Sequence, residues 1–555
     1  MHPLSGTAAL LDDASATIPQ LLDDACRRFR KRPAFTCFGH SLSFGEWDRE
    51  ANAFAAYLQH CTDLEPGDRI AIQLPNMLQY PVVLLGAMRA GLIVVNTNPL
   101  YTPKEMRYQF QDSGVRALVI HRCMASKAQE VLEDTAIQYV FTTEIGDLHP
   151  WPKRWLINTT IKYVKRLQPP YQIAGEISLP EVLLQGRSLV FEPVPLHAKD
   201  TVMLQYTGGT TGIAKGAMLT HRNLVANMAQ VLHRIECRLT DESMTFVAPL
   251  PLYHIYAFTL HCMALGVCGH NNLLITNPRD IPGFIKTLAK RPFQGFIGLN
   301  TLFVALYDHP EFRHLDFSQL VLTSSGGMAL AHSVAEKWES ITGCPILEGY
   351  GLTETSPVVS FNPPEANQLG TIGLPVERTE CVLLDSRDQP VSEGMPGELC
   401  VRGPQVMKGY WQRPEETAQS FTVDGFFRTG DIAIRQPDGY LRIIDRRKDM
   451  IIVSGFNVYP NEIEDVVMTH PEVLECAAIG VSDDKTGEAV RLFVVRRSTE
   501  LNEEALRLFC KSHLTPYKLP RQIVFRDELP KSPVGKILRR ALRDPAGTEE
   551  TPRLD

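Results

Sequence analysis

The sequence predicts an α/β architecture: a large N-terminal domain of helix-covered, mostly parallel sheets with a β subdomain, then a small α+β C-terminal domain. Three observations predict it. The chain has 555 residues, more than one hydrophobic core usually organises. From about Arg69 to Ile275, short apolar runs alternate with helical patterns, the order that yields parallel strands covered by helices. Near residue 445 a dense charge cluster precedes a stretch of about a hundred residues, the size of a small domain, with its own helix and strand signals.

The elements follow in chain order. Residues 69–74 (Arg-Ile-Ala-Ile-Gln-Leu) and 117–120 (Ala-Leu-Val-Ile) are short apolar runs and read as strands. Residues 80–95 form the most apolar stretch, but Arg89 interrupts it and it falls short of a membrane span. It reads as a buried helix running into a strand. Residues 151–166 carry five basic side chains and no acid, with Leu156, Thr160, Tyr163 and Leu167 at helical spacing. A basic amphipathic helix with aromatic residues at its start suits a membrane surface; a helix packed on its own domain is the other reading.

Residues 201–205 read as a strand and 223–230 as a helix, flanking a Gly/Thr-rich segment, and 273–276 is a further strand. Residues 377–440 are rich in short strands and turns, such as Gly394-Met-Pro-Gly397 and Pro437-Asp-Gly439, and read as the β subdomain. Leu441-Arg-Ile-Ile-Asp445 runs as a strand into Arg446-Arg447-Lys448-Asp449. Beyond lie a helix at 460–470, strands at 476–479 and 490–495, and a helix at 502–513. The domain boundary is placed at Asp445, giving domains 1–444 and 445–555.

Composition narrows the function. A net charge of −7 argues against a nucleic-acid binder, which would show a basic excess or stripe. The twelve cysteines are scattered singly with no CxxC pair, so neither a disulfide framework nor a zinc site is indicated and a reducing cytosol fits best. Leu10-Leu11-Asp12-Asp13 puts acid where a signal peptide needs an apolar run.

The chemistry concentrates in Tyr206-Thr207-Gly208-Gly209-Thr210-Thr211-Gly212-Ile213-Ala214-Lys215-Gly216. Glycines admit positive φ and close approach of backbone N–H groups to an anion. Threonine hydroxyls add donors, and the lysine supplies a compact positive charge. A Gly/Thr-rich turn after a strand is where a nucleotide triphosphate would sit. The segment is not a Walker A loop, because Lys215 follows Ala214 and precedes Gly216.

An ordered series of further motifs covers nearly the whole chain: Pro251-Leu-Tyr-His254, Ser324-Ser-Gly-Gly327, Glu348-Gly-Tyr-Gly-Leu-Thr-Glu354, Phe427-Arg-Thr-Gly-Asp431, Asp445-Arg-Arg-Lys-Asp449, Gly455-Phe-Asn-Val458 and Pro533-Val-Gly-Lys536. With this series the chain resembles the acyl-adenylate-forming superfamily and, within it, the bacterial long-chain fatty acid–CoA ligases. The resemblance implies two half-reactions that feed fatty acid degradation, with ATP, Mg²⁺ and coenzyme A taking part. A carboxylate attacks the α-phosphorus of ATP, and coenzyme A then displaces AMP to give the thioester.

The resemblance also implies the site. Residues 206–216 would cradle the β- and γ-phosphates, with Lys215 as a mobile counter-charge. Glu354 and Thr207 are the implied Mg²⁺ ligands. Tyr350 resembles the residue whose ring packs on adenine, a buried core tyrosine being the alternative; Gly327, Glu348, Gly349, Gly351 and Thr353 belong to the same cleft. Asp431 would accept from both ribose hydroxyls, a turn-forming aspartate being the alternative. Arg446 also reaches the nucleotide, whereas Arg447 and Lys448 read as a solvated charge cluster. Lys536 is the implied adenylation catalyst, with Lys531 the nearby decoy. The small domain would be mobile, rotating about Asp445 between half-reactions, with Gly455 and Phe456 then facing the acyl-adenylate and the pantetheine thiol.

A fatty-acid tail needs an apolar channel. Residues 253–263, 298–303 and 324–328 are apolar or small and contain no Asp, unlike an amino-acid-activating relative, which would place one near the second of the family's motifs. His254 stands either at the acyl carboxyl end or as a packed structural histidine. Other readings within the fold are a medium-chain or aryl CoA ligase and a fatty acyl-AMP ligase that loads a carrier protein. The expected location is the cytoplasm, with peripheral attachment to the cytoplasmic face of the inner membrane through residues 151–167.

Overall fold

A computed structural model describes residues 10–543 apart from 12, 14, 208–213, 447–448, 454–455, 484–485 and 532–536. The chain divides into two compact units. The first comprises residues 1–369, 373–380 and 402–427, and the second residues 370–372, 381–401 and 428–555.

The first unit holds two large sheets. In one, six strands run parallel in the order Thr201–Thr207, Ile93–Asn96, Arg69–Gln73, Ala117–His121, Tyr139–Thr143, Ile177–Ser178. Lys215–Thr220 and Gly409–Tyr410 are added antiparallel at one edge. In the other, Ile346–Gly351, Leu322–Gly326, Gly295–Gly298, Thr245–Ala248, Asn271–Leu274 and Pro33–Cys37 are parallel. Antiparallel strands flank this second sheet on both sides: His40–Ser43 at one end, Val358–Phe361 and Leu374–Pro375 at the other. Strands covered on both faces need near-continuous apolar runs, and Ile93–Asn96 and Ala117–His121 are buried at every position.

Residues 80–95 form the predicted helix, Gln79–Arg89, and strand, Ile93–Asn96. The charge that interrupts them is neutralised in place. Arg89 is buried and bonds Asp23 and Asp48, at 2.5 and 2.6 Å, and Asn52 at 2.9 Å. A second core sits under the other sheet, where Trp338 meets Phe303 and Phe296 at ring distances of 4.7 and 5.1 Å. Phe303, expected to line an acyl channel, is therefore core.

In the second unit, one sheet is Glu380–Leu384, Gly397–Arg402, Phe427–Arg435 and Leu441–Arg446. Another combines Phe456–Val458, Ile451–Val453, Gly487–Arg496, Val473–Asp483 and Gln522–Phe525. The helices Pro460–Met468 and Glu503–His513 carry the apolar faces that, with the second of these sheets, form its core.

Residues 151–167 fold as a short α-helix, Lys153–Thr159, that widens to π geometry over Thr160–Val164. Neither element buries a residue. Trp151, Trp155, Leu156, Tyr163, Val164 and Leu167 are all exposed, Trp151 by 82%. No described helix is long and apolar enough to cross a membrane.

Burial also sets an acid limit on stability. His121, His221, His254, His261 and His270 are pushed down to about 4 from 6.5, desolvation being the largest cause in each. Unfolding restores their ordinary values, so between about pH 4 and 6.5 the unfolded chain binds more protons than the folded one. Stability is therefore expected to be lost as pH falls through this window. Thermal unfolding followed from about pH 7.5 to 4.5 checks it; a midpoint that stays flat below pH 6.5 would contradict these neutral histidines.

Candidate active site

The strands on either side of the Gly/Thr-rich segment pair as an antiparallel hairpin. Thr207 pairs with Lys215, and the strand Lys215–Thr220 runs back beside Thr201–Thr207 before the helix His221–Ile235 begins. Sequence reading saw the first strand and the helix but not the strand between them. A capping box makes the turn into the helix: the Thr220 hydroxyl accepts from the Asn223 N–H, and the Asn223 side chain accepts from the Thr220 N–H. Gly208, Gly209, Thr210, Thr211 and Gly212 lie outside the described residues.

The roots of the hairpin are firmly tied. Tyr206 donates its hydroxyl to Asp112 at 2.7 Å, Arg413 donates to the other Asp112 oxygen at 2.6 Å, and the Trp411 indole N–H donates to the Asp112 carbonyl at 3.2 Å. The Trp411 backbone N–H donates to the Gly216 carbonyl, and the Tyr108 hydroxyl to the Ala214 carbonyl. Burial, reinforced by the Asp112 carboxylate, holds the Tyr206 phenol well above its usual range. Gly216 has a steric reason to be glycine, since a Cβ there would lie 3.1 Å from the Tyr206 ring.

Lys215 and Glu354 meet at one side chain. The Lys215 ammonium lies 5.2 Å from the centre of the Tyr410 ring and 3.0 Å from Glu416. The Tyr410 hydroxyl donates to Glu354 Oε1 at 2.8 Å. Burial first, then the Glu354 charge, pushes the Tyr410 phenol far above its usual range, so it stays protonated and keeps donating. Glu354 is buried in the turn Thr353–Thr355, and its carbonyl accepts the Met407 N–H. Both hairpin strands pack on this turn, so the two expected metal ligands, Thr207 and Glu354, sit on neighbouring elements. Among the described residues no three His, Cys, Asp or Glu side chains gather as a metal site. One carboxylate and a hydroxyl suit a hard cation such as Mg²⁺ that takes its other ligands from phosphate and water.

Tyr350 lies half-buried in the strand Ile346–Gly351. The glycines on either side answer to the neighbouring chain: a Cβ on Gly349 would be 2.6 Å from the Phe361 ring, and one on Gly351 would be 2.0 Å from the Pro357 carbonyl oxygen. The Glu348 carbonyl accepts twice from Asn362. Gly327 follows the adjacent strand at φ +84°, a left-handed turn that favours glycine.

Three segments expected to line the acyl channel come together here. Tyr256 and Ser324 share a hydrogen bond of 2.6 Å, and a Cβ on Gly327 would touch Leu299 at 3.9 Å. His254 accepts the Tyr256 N–H through Nδ1 and caps the short helix Ile255–Ala257. Desolvation keeps it neutral, at about 4. Its Nδ1 is committed to the fold.

In the second unit, Asp431 and Arg446 are register partners on adjacent strands, with Arg446 Nε 3.0 Å from Asp431 Oδ1. Asp431 stands in a strand, not in a turn; the positive φ of +72° falls on Gly430 before it. Asp445 is completely buried and accepts from the N–H groups of Arg446 and Asn461, at 2.6 and 2.8 Å. Desolvation raises it to about 6 against the pull of Arg539. Lys531 is engaged by Glu475 at 2.5 Å. Arg447, Lys448, Gly455 and Lys536 lie outside the described residues; Phe456 opens the strand Phe456–Val458, with its backbone paired to Val453.

The sequence reading missed Asp112, Tyr410 and Glu416. Each becomes visible only when the edge of the first sheet is assembled.

Comparison with known proteins places this geometry. The chain matches the model for an AMP-binding enzyme over residues 22–411 and that for the AMP-binding enzyme C-terminal domain over 462–536. It is 50% identical over 546 residues to a long-chain-fatty-acid–CoA ligase of Salmonella typhimurium, covering 98% of this chain and 97% of that one. It is 46% identical over 543 residues to the enzyme of that name from Haemophilus influenzae, covering 97% and 96%. Among solved structures, ATP-bound MatB from Rhodopseudomonas palustris superposes with a TM-score of 0.81 at 26% identity, covering 95% of this chain and 98% of that one.

Proposed function

The chain belongs to the AMP-binding enzyme family, and from that premise we propose that it is an ATP-dependent long-chain fatty acid–CoA ligase. The observation that carries the reading is its likeness, at half identity and nearly full length, to ligases of that name. The arrangement of Lys215, Tyr410 and Glu354 supports it.

In the first half-reaction a carboxylate oxygen of the fatty acid bonds to the α-phosphorus of ATP, and the bond from that phosphorus to the oxygen bridging to the β-phosphate breaks. Pyrophosphate leaves and the acyl-adenylate remains. In the second, the coenzyme A sulfur bonds to the acyl carbon, AMP departs with the carboxyl-derived oxygen, and the thiol proton passes to solvent. Phosphoryl transfer of this kind depends on positioning and charge neutralisation.

The roles follow from the residues. Lys215 exchanges Glu416 for the β- and γ-phosphates, a role it would share with Gly208, Gly209 and Gly212 of the same motif. Thr207 and Glu354 would hold Mg²⁺, which supplies charge neutralisation when bound. Tyr350 packs on adenine and Asp431, oriented by Arg446, accepts the ribose hydroxyls. Lys536 stabilises the charge growing between the carboxylate and the α-phosphate. Domains 1–444 and 445–555, hinged at Asp445, would exchange Lys536 for Gly455 and Phe456 between half-reactions.

The test is AMP and thioester formation with saturated fatty acids of graded length, with coenzyme A present or omitted. Thioester formation that peaks with long chains is expected. A peak at medium or aryl acids, or product only with a carrier protein, would overturn the assignment.

The exposed apolar side chains at 151–167, with Lys153, Arg154, Lys162, Lys165 and Arg166 beside them, support peripheral attachment to anionic lipid on the cytoplasmic face of the inner membrane, where the substrate partitions. Reversing the charge of Lys153, Arg154 and Lys162 together is expected to release the enzyme from anionic vesicles in co-sedimentation. Undiminished sedimentation would remove the idea.

A further inference from the structure

The turn between the strands Pro33–Cys37 and His40–Ser43 is built against local preference. Cys37 and His40 are register partners, so the loop holds two residues, Phe38 and Gly39, and both have positive φ, +45° and +71°. A two-residue hairpin of this kind favours Asn or Asp before the glycine, because a short polar side chain tolerates left-handed backbone and suits a solvated tip. A bulky phenylalanine at positive φ is strained. Phe38 is also 49% exposed, and its ring meets that of His149 only at 6.4 Å. Its burial within the fold therefore does little to offset the strain.

The fold sets this tip beside the basic helix, although Phe38 and Lys153 stand 115 residues apart. The Lys153 ammonium donates to the Phe38 carbonyl, and a Cβ on Gly39 would lie 3.5 Å from the same Nζ. His149, two residues before Trp151, donates from Nε2 to the Cys37 carbonyl at 3.1 Å. Trp151 and Trp155 are exposed by 82% and 62%. Three open aromatic side chains thus come from two separate elements around one cation. Residues 151–167 contain no acid to offset their basic side chains. The neighbouring Asp147 carboxylate is only 5% exposed and is engaged by Thr143, Asn158 and Arg154.

We propose that the Phe38-Gly39 tip is a second membrane anchor, with the Phe38 ring entering the headgroup–acyl boundary of an anionic bilayer beside Trp151 and Trp155. The inference rests on the membrane attachment proposed for residues 151–167 and adds a rigid element to it. The tip is carried by a strand paired on both sides, to His40–Ser43 and to Asn271–Leu274. Such an anchor is already ordered before it meets lipid, so little freedom is lost on binding. Lys153, held at the Phe38 carbonyl, would keep its charge at headgroup level while the ring sits deeper.

The experiment measures co-sedimentation with vesicles of phosphatidylethanolamine and phosphatidylglycerol, together with the thermal midpoint. It compares wild type, Phe38→Asn, Phe38→Trp and the variant with Lys153, Arg154 and Lys162 reversed in charge. Phe38→Asn is expected to weaken partitioning about tenfold, the loss of part of one buried aromatic side chain. Its thermal midpoint should hold or rise, because Asn-Gly suits the turn better than Phe-Gly. Phe38→Trp should bind as wild type does. Undiminished partitioning of Phe38→Asn would overturn the inference. A lowered midpoint or a failure to fold would do the same, since Phe38 would then be a packing residue of the hairpin. So would a loss of self-association in sedimentation velocity with lipid binding intact, which would assign the patch to a second copy of the chain. If Phe38→Asn releases the enzyme and charge reversal does not, the tip stands and the reading of the basic helix falls. The reverse pattern sinks the tip alone.

Discussion

Replacing Glu354 by glutamine is expected to lower kcat/KM for ATP by a factor on the order of 10² to 10³, the size of effect seen when one preorganised charge-stabilising group is lost. The side chain keeps its volume, and an amide oxygen can still accept the Tyr410 hydroxyl that reaches Glu354 at 2.8 Å. The turn Thr353–Thr355, tied through its backbone to Met407, therefore has no reason to move. The negative charge alone is lost. If that charge holds Mg²⁺ against the triphosphate, raising Mg²⁺ should recover part of the loss, which a purely structural glutamate would not allow. Tyr410→Phe tests the support behind it. That variant leaves a buried carboxylate short of one donor, a cost of about 1–3 kcal/mol, and a fall in activity of about tenfold is expected. Steady-state kinetics in ATP at several Mg²⁺ concentrations decide both. A Glu354→Gln enzyme within about threefold of wild type would exclude this residue from the phosphate site.

The sequence showed the site where its chemistry is packed into a few consecutive residues. Residues 206–216, Glu348 to Glu354 and Phe427 to Asp431 each combine glycines with a charged or hydroxyl side chain, and that order carries meaning without the fold. The partners of these residues were hidden because they arrive across long stretches of chain. Tyr410 stands 56 residues from Glu354, Asp112 stands 94 from Tyr206 and 301 from Arg413, and only the edge of the first sheet joins them. Local pattern also misled. Lys215-Gly-Ala-Met-Leu-Thr220 has a glycine and few β-branched residues, so the return strand of the hairpin was not visible; it pairs because Thr201–Thr207 offers it an edge. The spacing of Leu156, Thr160, Tyr163 and Leu167 marked one regular helix, yet the α-helix ends at Thr159 and gives way to π geometry over Thr160–Val164. The strand–helix alternation, by contrast, was legible at residues 69–74, 80–95, 117–120 and 201–205, where period and length together tell a buried strand from the helix that covers it.

Replacing Asp431 by alanine is expected to raise KM for ATP by about 10- to 100-fold, the loss of charge-assisted hydrogen bonds to a ribose, while kcat at saturating ATP changes far less. The geometry makes the residue a good clamp. It is almost fully buried, its strand is fixed by pairing with Leu441–Arg446, and the Arg446 guanidinium at 3.0 Å holds the carboxylate oriented. A carboxylate set in this way gives up little freedom when it accepts from the two ribose hydroxyls, so most of the interaction appears as affinity. The nucleotide itself supplies the decisive control. Wild type should discriminate against 2′-deoxy-ATP, which offers one hydroxyl fewer, whereas the alanine variant should treat the two nucleotides nearly alike. Arg446→Gln should fall between, weakening ATP binding but retaining the preference for ribose, because the acceptor remains and only its orienting partner is lost. If instead Asp431→Ala kept the full preference for ATP over 2′-deoxy-ATP, the ribose would have to be bound elsewhere, and the Asp431–Arg446 pair would be a device of the sheet alone.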